Sequence, residues 1–539
     1  MTSKKVRTRP LPESVVESWD HEADVVVVGY GIAGVCAALA ADERGADVLV
    51  LERGGGSEGL CGAIFYLGGG TEMQHAAGYE DTPEAMRTML RSALGAGLVD
   101  EVKLDAYCAG SVEHYDWLVR SGVPFVTGPD EEGTDFTAAM EDGYVVIGAQ
   151  EYAGHGLIWA GAEASFPNDE LAPPVPRGHI ARDVPKDEDL YEGAATKALL
   201  RTADARGIKA LYNMGAERLV IDGAGVVVGV ECQSYDTTVR VRARSGVVLA
   251  TGGFGYNEEM MALHSPLLVE QGAMPQGHEG QDGLGIRMGQ AAGANAVRMD
   301  AADVTLAMTP PITVRAGLLI NELGQRFVNE DAYFGRIGID VMRNQRGVAF
   351  LLLDDATYLP GATFRRPRWI AESLEELERE AGFPPGSLVG TVDYYNKHAA
   401  DGKDPLLHKR PKWLRPLEPP FALMDLSAIP KPGGGEGVSY VRMPGGDVAD
   451  LRNLAGIVTL GGLHTNVDSE VLDPEGEVIP GLYAAGRCSA GLAVYGYCSG
   501  VSLGDSSFFG ARAGRVAAAR AAALSGTSSR VSALGGLDA

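Results

Sequence analysis

The chain is poor in cysteine, in basic residues and in long apolar runs, and each shortage excludes something. Its six cysteines, at positions 36, 61, 108, 232, 488 and 498, form no CxxC pair and no spacing used by a metal site. Reduced thiols in a cytoplasmic protein, with no bound metal, are therefore expected. No stretch approaches the ~20 apolar residues that cross a bilayer, which predicts no integral membrane segment. Lys and Arg number 46 against 72 Asp and Glu, a net charge of −26, which disfavours nucleic acid and anionic membranes as partners. Residues 1–20 carry basic side chains without an apolar core, so they are no secretory signal and read as a disordered lead-in. No internal repeat is found.

Glycine is abundant, 73 of 539 residues, well above ordinary usage. The stretch around which the chain is organised is ADVVVVGYGIAGVCAALAADERGADVLVLER, Ala23 to Arg53. An apolar β-branched run, Val25 to Val28, predicts a buried strand. Gly29-Tyr-Gly31-Ile32-Ala33-Gly34 then opens an alanine-rich helix to about Arg44, and a second apolar run, Val48 to Leu51, ends at Glu52. Gly29 permits the tight turn, Gly31 lets the backbone approach a pyrophosphate, and Gly34 lets helix pack on strand. The helix N-terminus offers free N–H groups to phosphate, and Glu52 is placed for ribose hydroxyls. The complete strand–glycine–helix–strand–acid register predicts an α/β, Rossmann-like dinucleotide site. A second glycine cluster, Gly54 to Thr71, is superfluous for a nicotinamide cofactor but suits the long cradle of a flavin. No second GxGxxG follows a strand.

Further along, Thr82-Pro83 predicts a helix start, and Gly128 to Glu188 reads as irregular, with a structural His179. Tyr191 to Gly207 reads as a helix. Strands follow to about Gly255, forming an antiparallel insert and delivering Thr251-Gly252-Gly253 to the ligand. We expect an FAD-type domain in two parts, 21–298 and 445–525, around an inserted α+β capping domain, 299–444, with a flexible tail at 526–539. Within the insert, Ile370 to Glu380 reads as a charged helix, Lys409 to Lys412 as a solvated basic face, and Gly433 to Gly435 as a hinge. The last helix starts at Gly500 and frays after about Val516.

The motifs ADVVVVGYGIAGV…LER, FYLGGGT, ATGGF, GQRFVNEDAYFGRIG and IPGLYAAGR…GYCSGVSLGDSSFFG occur in this order over nearly the whole chain. Together they resemble the fumarate reductase/succinate dehydrogenase flavoprotein superfamily. EDAYFGRIG and GYCSGVSLGD make the 3-ketosteroid Δ4-(5α)-dehydrogenases the most similar branch, with the Δ1-dehydrogenases beside it. The resemblance implies non-covalent FAD, held by Gly29, Gly31, Ile32, Ala33, Gly34, Glu52, Arg53, Cys61, Gly62, Gly69, Gly70, Thr251, Gly252, Gly486, Arg487, Ser502 and Leu503. It implies catalysis by Tyr333, Tyr497 and Ser499 on a hydrophobic 3-ketosteroid, with an unidentified electron acceptor. The chemistry agrees: forming a double bond beside a ketone needs a donor on the carbonyl, a base for the α proton and a hydride acceptor. Tyr497 is assigned to the ketone, Ser499 and Tyr333 to the proton, while Tyr495 and Tyr66 only line the pocket. The loop Arg487 to Gly500 lacks histidine and is mostly apolar, which disfavours a dicarboxylate, His464 being the one nearby histidine. Desaturation at C1–C2, reduction of another α,β-unsaturated ketone, and a non-catalytic flavin module are the alternatives.

Overall fold

Four consecutive valines set the architecture. Alternate side chains of a strand face opposite ways, and Val25 to Val28 are buried on both sides. Val26 and Val28 join one core with Leu49, Leu51, Val247 and Leu249. Val25 and Val27 join another with Val48, Val50 and Val248. Such a strand belongs inside a parallel sheet covered on both faces. The computed structural model describes residues 8–55, 62–95, 97–126, 152–181, 193–306, 315–358, 367–428, 440–442, 448–450 and 455–524. In it, strand His21–Val28 pairs in parallel with Val48–Leu51 on one side and Thr237–Leu249 on the other. Lys209–Leu211 extends the parallel set beyond Val48–Leu51.

Thr237–Leu249 does two things. Its first half pairs with Val227–Ser234, opening the antiparallel insert with Gly215–Ile221. Its last residues, Val247 to Leu249, pair in parallel with Leu482 to Ala484. The chain thus returns to the sheet near its end, and among the described residues the sheet totals nine strands.

Several expectations change. Residues 8–20 are ordered: Leu11–Pro12 pairs in parallel with Val220 and Ile221, and Asp20 donates its N–H to the Arg240 carbonyl. The rest of the expected lead-in, like Cys61, Gly433 to Gly435 and the tail at 526–539, lies outside the described residues. Residues 152–181, read as irregular, contribute three short strands that pair onto Ile64–Tyr66 as a four-stranded antiparallel sheet. The last helix runs from Val501 to Leu524 without fraying at Val516, because Ala513, Ala517 and Ala518 are buried. It packs flat on helix Ile32–Asp42. A Cβ at Gly510 would lie 2.4 Å from the Ala33 carbonyl oxygen, and one at Gly514 2.0 Å from that of Ala37. The charged helix starts later than expected, at Leu374–Ala381, because Ser373 caps it and Trp369–Ala371 is a strand.

The basic run is the largest correction, for although Lys412 is exposed as expected, Lys409 and Arg410 are not free on a solvated face. Lys409 is fully buried, with Nζ 3.0 Å from Glu330 and 2.6 Å from the Gly317 carbonyl. Arg326 joins Glu330 to Asp404, and Arg410 reaches Asp331 at 2.7 Å. Charges at this depth survive only when paired and hydrogen-bonded. Lys409→Met is expected to cost about 3–5 kcal/mol, because Glu330 loses a partner in a site water does not reach. A lower urea midpoint at unchanged slope would show it.

Candidate active site

The glycine turn at the end of strand His21–Val28 has the geometry a dinucleotide needs. Gly29 sits at φ +98°, and a Cβ there would lie 2.5 Å from the Ala250 carbonyl oxygen. Gly31 caps helix Ile32–Asp42 with no side-chain hydrogen bond at its N-terminus. A Cβ on Gly31 would meet nothing within 4 Å, leaving open space in front of the first helical N–H groups, where a phosphate is favoured. Glu52 closes the turn: its Oε2 accepts from the Tyr30 N–H and its Oε1 from the Gly54 N–H, both at 2.8 Å. Each oxygen retains acceptor capacity toward a ribose.

The other expected contacts gather around this turn or apart from it. Thr251 lies against Gly29, and its hydroxyl reaches Cys488 Sγ at 3.4 Å. A Cβ on Gly486 would sit 2.9 Å from Ala33 Cβ, so the returning strand brings Gly486 onto the helix start. Gly486, Arg487 and Ser502 line a cavity with Leu460, Ser489, Gly491, Ala493, Val501 and Asp505. Ile32 opens the helix, and Leu503 is buried in the core beneath it. Gly252, at φ +77°, packs on Gln281. Arg53 is half-exposed and ties to Asp282 at 2.8 Å. Gly62 is exposed. Gly69 and Gly70 already donate their N–H groups to Asp81 and Gln74, so as placed they shape the wall without offering donors to a ligand.

The three residues assigned to chemistry converge from two distant stretches. Tyr333 ends the segment before helix Phe334–Asn344, anchored by the acids in front of it: Glu330 in its buried ion-pair network, and Asp331 accepting from Arg410 and from Ser165 Oγ. Tyr497 and Ser499 belong to the loop before helix Val501–Leu524, where Ser499 donates its N–H to the Ala160 carbonyl at 2.9 Å. Tyr333 Oη and Ser499 Oγ are 3.3 Å apart, and the Tyr333 and Tyr497 ring centroids 6.3 Å. Tyr497 Oη accepts from the Ser502 N–H at 3.1 Å, a donor at the helix N-terminus. Burial foremost, then the charge of Asp303, pushes the Tyr497 hydroxyl up to about 12 and Tyr333 well above its ordinary range. Both are protonated at neutral pH.

Tyr495 stands apart, its hydroxyl donating to Asp300 at 2.9 Å, and Tyr66 is buried in its strand, its N–H on the Gly500 carbonyl. His179 is structural, bonded to Thr71 Oγ1 at 2.7 Å. His464 faces the fields of Lys103, Asp100 and Arg298. Asp303 was missed. Its signal was a lone acid inside the apolar run AADVTLAM.

The chain matches the FAD binding domain family model over residues 24–503. It belongs to that family. Its cofactor is FAD, and the open space before Gly31 together with the free acceptor capacity of Glu52 fits the nucleotide half. This flavoprotein is similar to the crystal structure of 3-ketosteroid-Δ4-(5α)-dehydrogenase from Rhodococcus jostii in complex with 4-androstene-3,17-dione. The two share 44% identity over 95% of this chain and 99% of that one, with a TM-score of 0.81. It is 27% identical to 3-oxo-5-alpha-steroid 4-dehydrogenase of Comamonas testosteroni, over 87% of this chain and 93% of that protein. It is also 27% identical to 3-oxosteroid 1-dehydrogenase of Mycobacterium tuberculosis, over 91% and 97%. Among the described residues no helix is long and apolar enough to cross a membrane.

Proposed function

We propose that this flavoprotein introduces the C4–C5 double bond into 5α-3-ketosteroids. The observation that carries this reading is the pairing of the Tyr333 and Ser499 hydroxyls beside Tyr497, in a chain 44% identical over nearly its full length to a Δ4-(5α)-dehydrogenase.

Each group follows from its chemistry. Tyr497 keeps its own proton and receives a hydrogen bond from the Ser502 N–H, so its O–H is free to donate to the C3 ketone and stabilise the developing enolate. Ser499 and Tyr333 accept and relay the proton from C4. Tyr333 is too weak an acid to stand as an anion at neutral pH, so it passes a proton on as it receives one. Bound FAD supplies the acceptor for the hydride from C5. Cys498, Ala493 and Leu492 bury the loop around these hydroxyls, which suits an apolar ring system better than a small dicarboxylate.

The test is anaerobic mixing of the purified holoprotein with a saturated 5α-3-ketosteroid. Bleaching of the oxidised flavin band with formation of the 4-ene product is expected. FAD that stays oxidised, or a 1-ene product, overturns the assignment, the second outcome favouring the chemistry of the mycobacterial relative.

A further inference from the structure

Tyr333 can relay a proton only if something beyond it accepts one. Asp303 lies mid-strand in Ala302–Leu306, opposite Val458 of the antiparallel neighbour, and is 7% exposed. Its Oδ1 is buried and has no hydrogen-bond partner among the described residues. A Cβ on Gly335 would lie 2.5 Å from Tyr333 Cε1 and 2.6 Å from Asp303 Oδ1. The Cε1 edge of Tyr333 and Asp303 Oδ1 therefore lie within about 5 Å of each other beside the space this glycine leaves, while the phenol hydroxyl itself bonds Ser499. Gly338, one turn later, does the same for the backbone: a Cβ there would lie 2.1 Å from the Val304 carbonyl oxygen. The two glycines of FGRIG thus seat helix Phe334–Asn344 directly on the strand that carries Asp303.

We propose that Asp303 is the proton store behind the Tyr333–Ser499 pair, a positioning residue that acts on the substrate proton through Tyr333. This rests on the dehydrogenase reading above. In the step, the C4–H bond breaks and its proton goes to Ser499 Oγ. The Ser499 proton passes to Tyr333 Oη, and the Tyr333 proton to the Asp303 carboxylate, which becomes the acid. The electron pair of the C4–H bond forms the enolate and then the C4–C5 double bond, while the C5 hydride leaves to FAD. Both hydroxyls return to their starting state, and Asp303 resets by losing its proton to solvent.

The electrostatics agree. Burial pushes the Asp303 carboxyl up to about 7, opposed by the Val304 N–H, so an appreciable fraction is the accepting carboxylate at neutral pH. The groups that feel its charge are Tyr333 at the helix end, and Tyr497 and Cys498 on the loop. The helix also carries Arg336, set against Asp340, and Arg343, held by Asp300. Arg487 lies beyond Tyr497. Strand Ala455–Thr459 contributes no ionisable side chain. Because only the carboxylate accepts, the rate should fall as pH drops through about 7.

The test uses the FAD-loaded protein and two variants, Asp303→Asn and Asp303→Glu. Anaerobic flavin reduction by a 5α-3-ketosteroid is followed against pH, and infrared difference spectra record the protonated-carboxyl band over the same range. For Asp303→Asn we expect a rate about 100-fold lower, unchanged steroid KM, unchanged FAD content, loss of the inflection near neutrality and loss of one titrating carboxyl band. Glu163, which burial also pushes up to about 7, supplies a band that remains. In Asp303→Glu, rate is partly restored and the inflection and band move together. An Asp303→Asn protein with the wild-type rate and profile overturns the proposal. If Asp303→Asn does not hold FAD, an inflection unmoved in Asp303→Glu overturns it. Wild-type protein that steroid fails to bleach, while the Asp303 band titrates, overturns the substrate reading alone.

Discussion

Tyr497→Phe is expected to slow anaerobic flavin bleaching by a 5α-3-ketosteroid about 10²–10³-fold, the cost of one lost donor at a developing oxyanion. The substitution removes only the hydroxyl. The Ser502 N–H that bonded it sits at the start of a helix, where water can replace the lost acceptor, so the fold and the FAD content should hold. Loss of rate should appear in kcat and kcat/KM alike, because the bond to the ketone strengthens only as negative charge develops on its oxygen. Tyr495→Phe is the matched comparison. That residue is two positions away, but its hydroxyl is spent on Asp300 at the surface, and the wild-type rate is expected. A Tyr497→Phe rate within about threefold of wild type would remove Tyr497 from the ketone.

Gly34→Ala is expected to yield a protein that purifies nearly colourless. The added Cβ would lie 1.9 Å from the Gly29 carbonyl oxygen and 3.4 Å from Val27 Cγ1. Backbone cannot swing aside as a flexible side chain can. The helix has little room to shift either, because its Ala33 and Ala37 backbone already packs closely on Gly510 and Gly514 of the C-terminal helix. Overpacking of this kind costs about 1–3 kcal/mol. Here the strain falls on the turn whose uncapped N–H groups are expected to hold the pyrophosphate. FAD affinity should therefore drop about tenfold or more, measured by fluorescence titration of the stripped protein, with a lower thermal midpoint. Unchanged affinity would show that Gly34 packs the helix without setting the phosphate site.

The nucleotide half was legible in sequence because its determinants are local. A valine run, a glycine that needs φ +98°, an uncapped helix start and an acid ending the second strand all fall within 31 residues of chain, and neighbours in sequence are there neighbours in space. The motifs carrying Tyr333, Tyr497 and Ser499 were equally plain as motifs. Their meeting was not, since 166 residues separate Tyr333 from Ser499 and only the returning chain brings the two stretches together.

What the sequence misjudged was decided by burial. Lys409 and Arg410 read as a solvated face because their partners, Glu330 and Asp331, are nearly eighty residues away. The final helix read as frayed because alanine and glycine look weak until another helix lies within reach of them. Asp303 was not singled out, because its sequence neighbours say nothing of the helix that packs over it. The sequence by itself determined the glycine turn of the FAD-binding fold and the motifs that carry the three hydroxyls proposed to meet a substrate. Tertiary structure alone decided which charges are buried and what faces Tyr333, because the cost of a charge or the strength of a base depends on the water around it, and only folding removes that water.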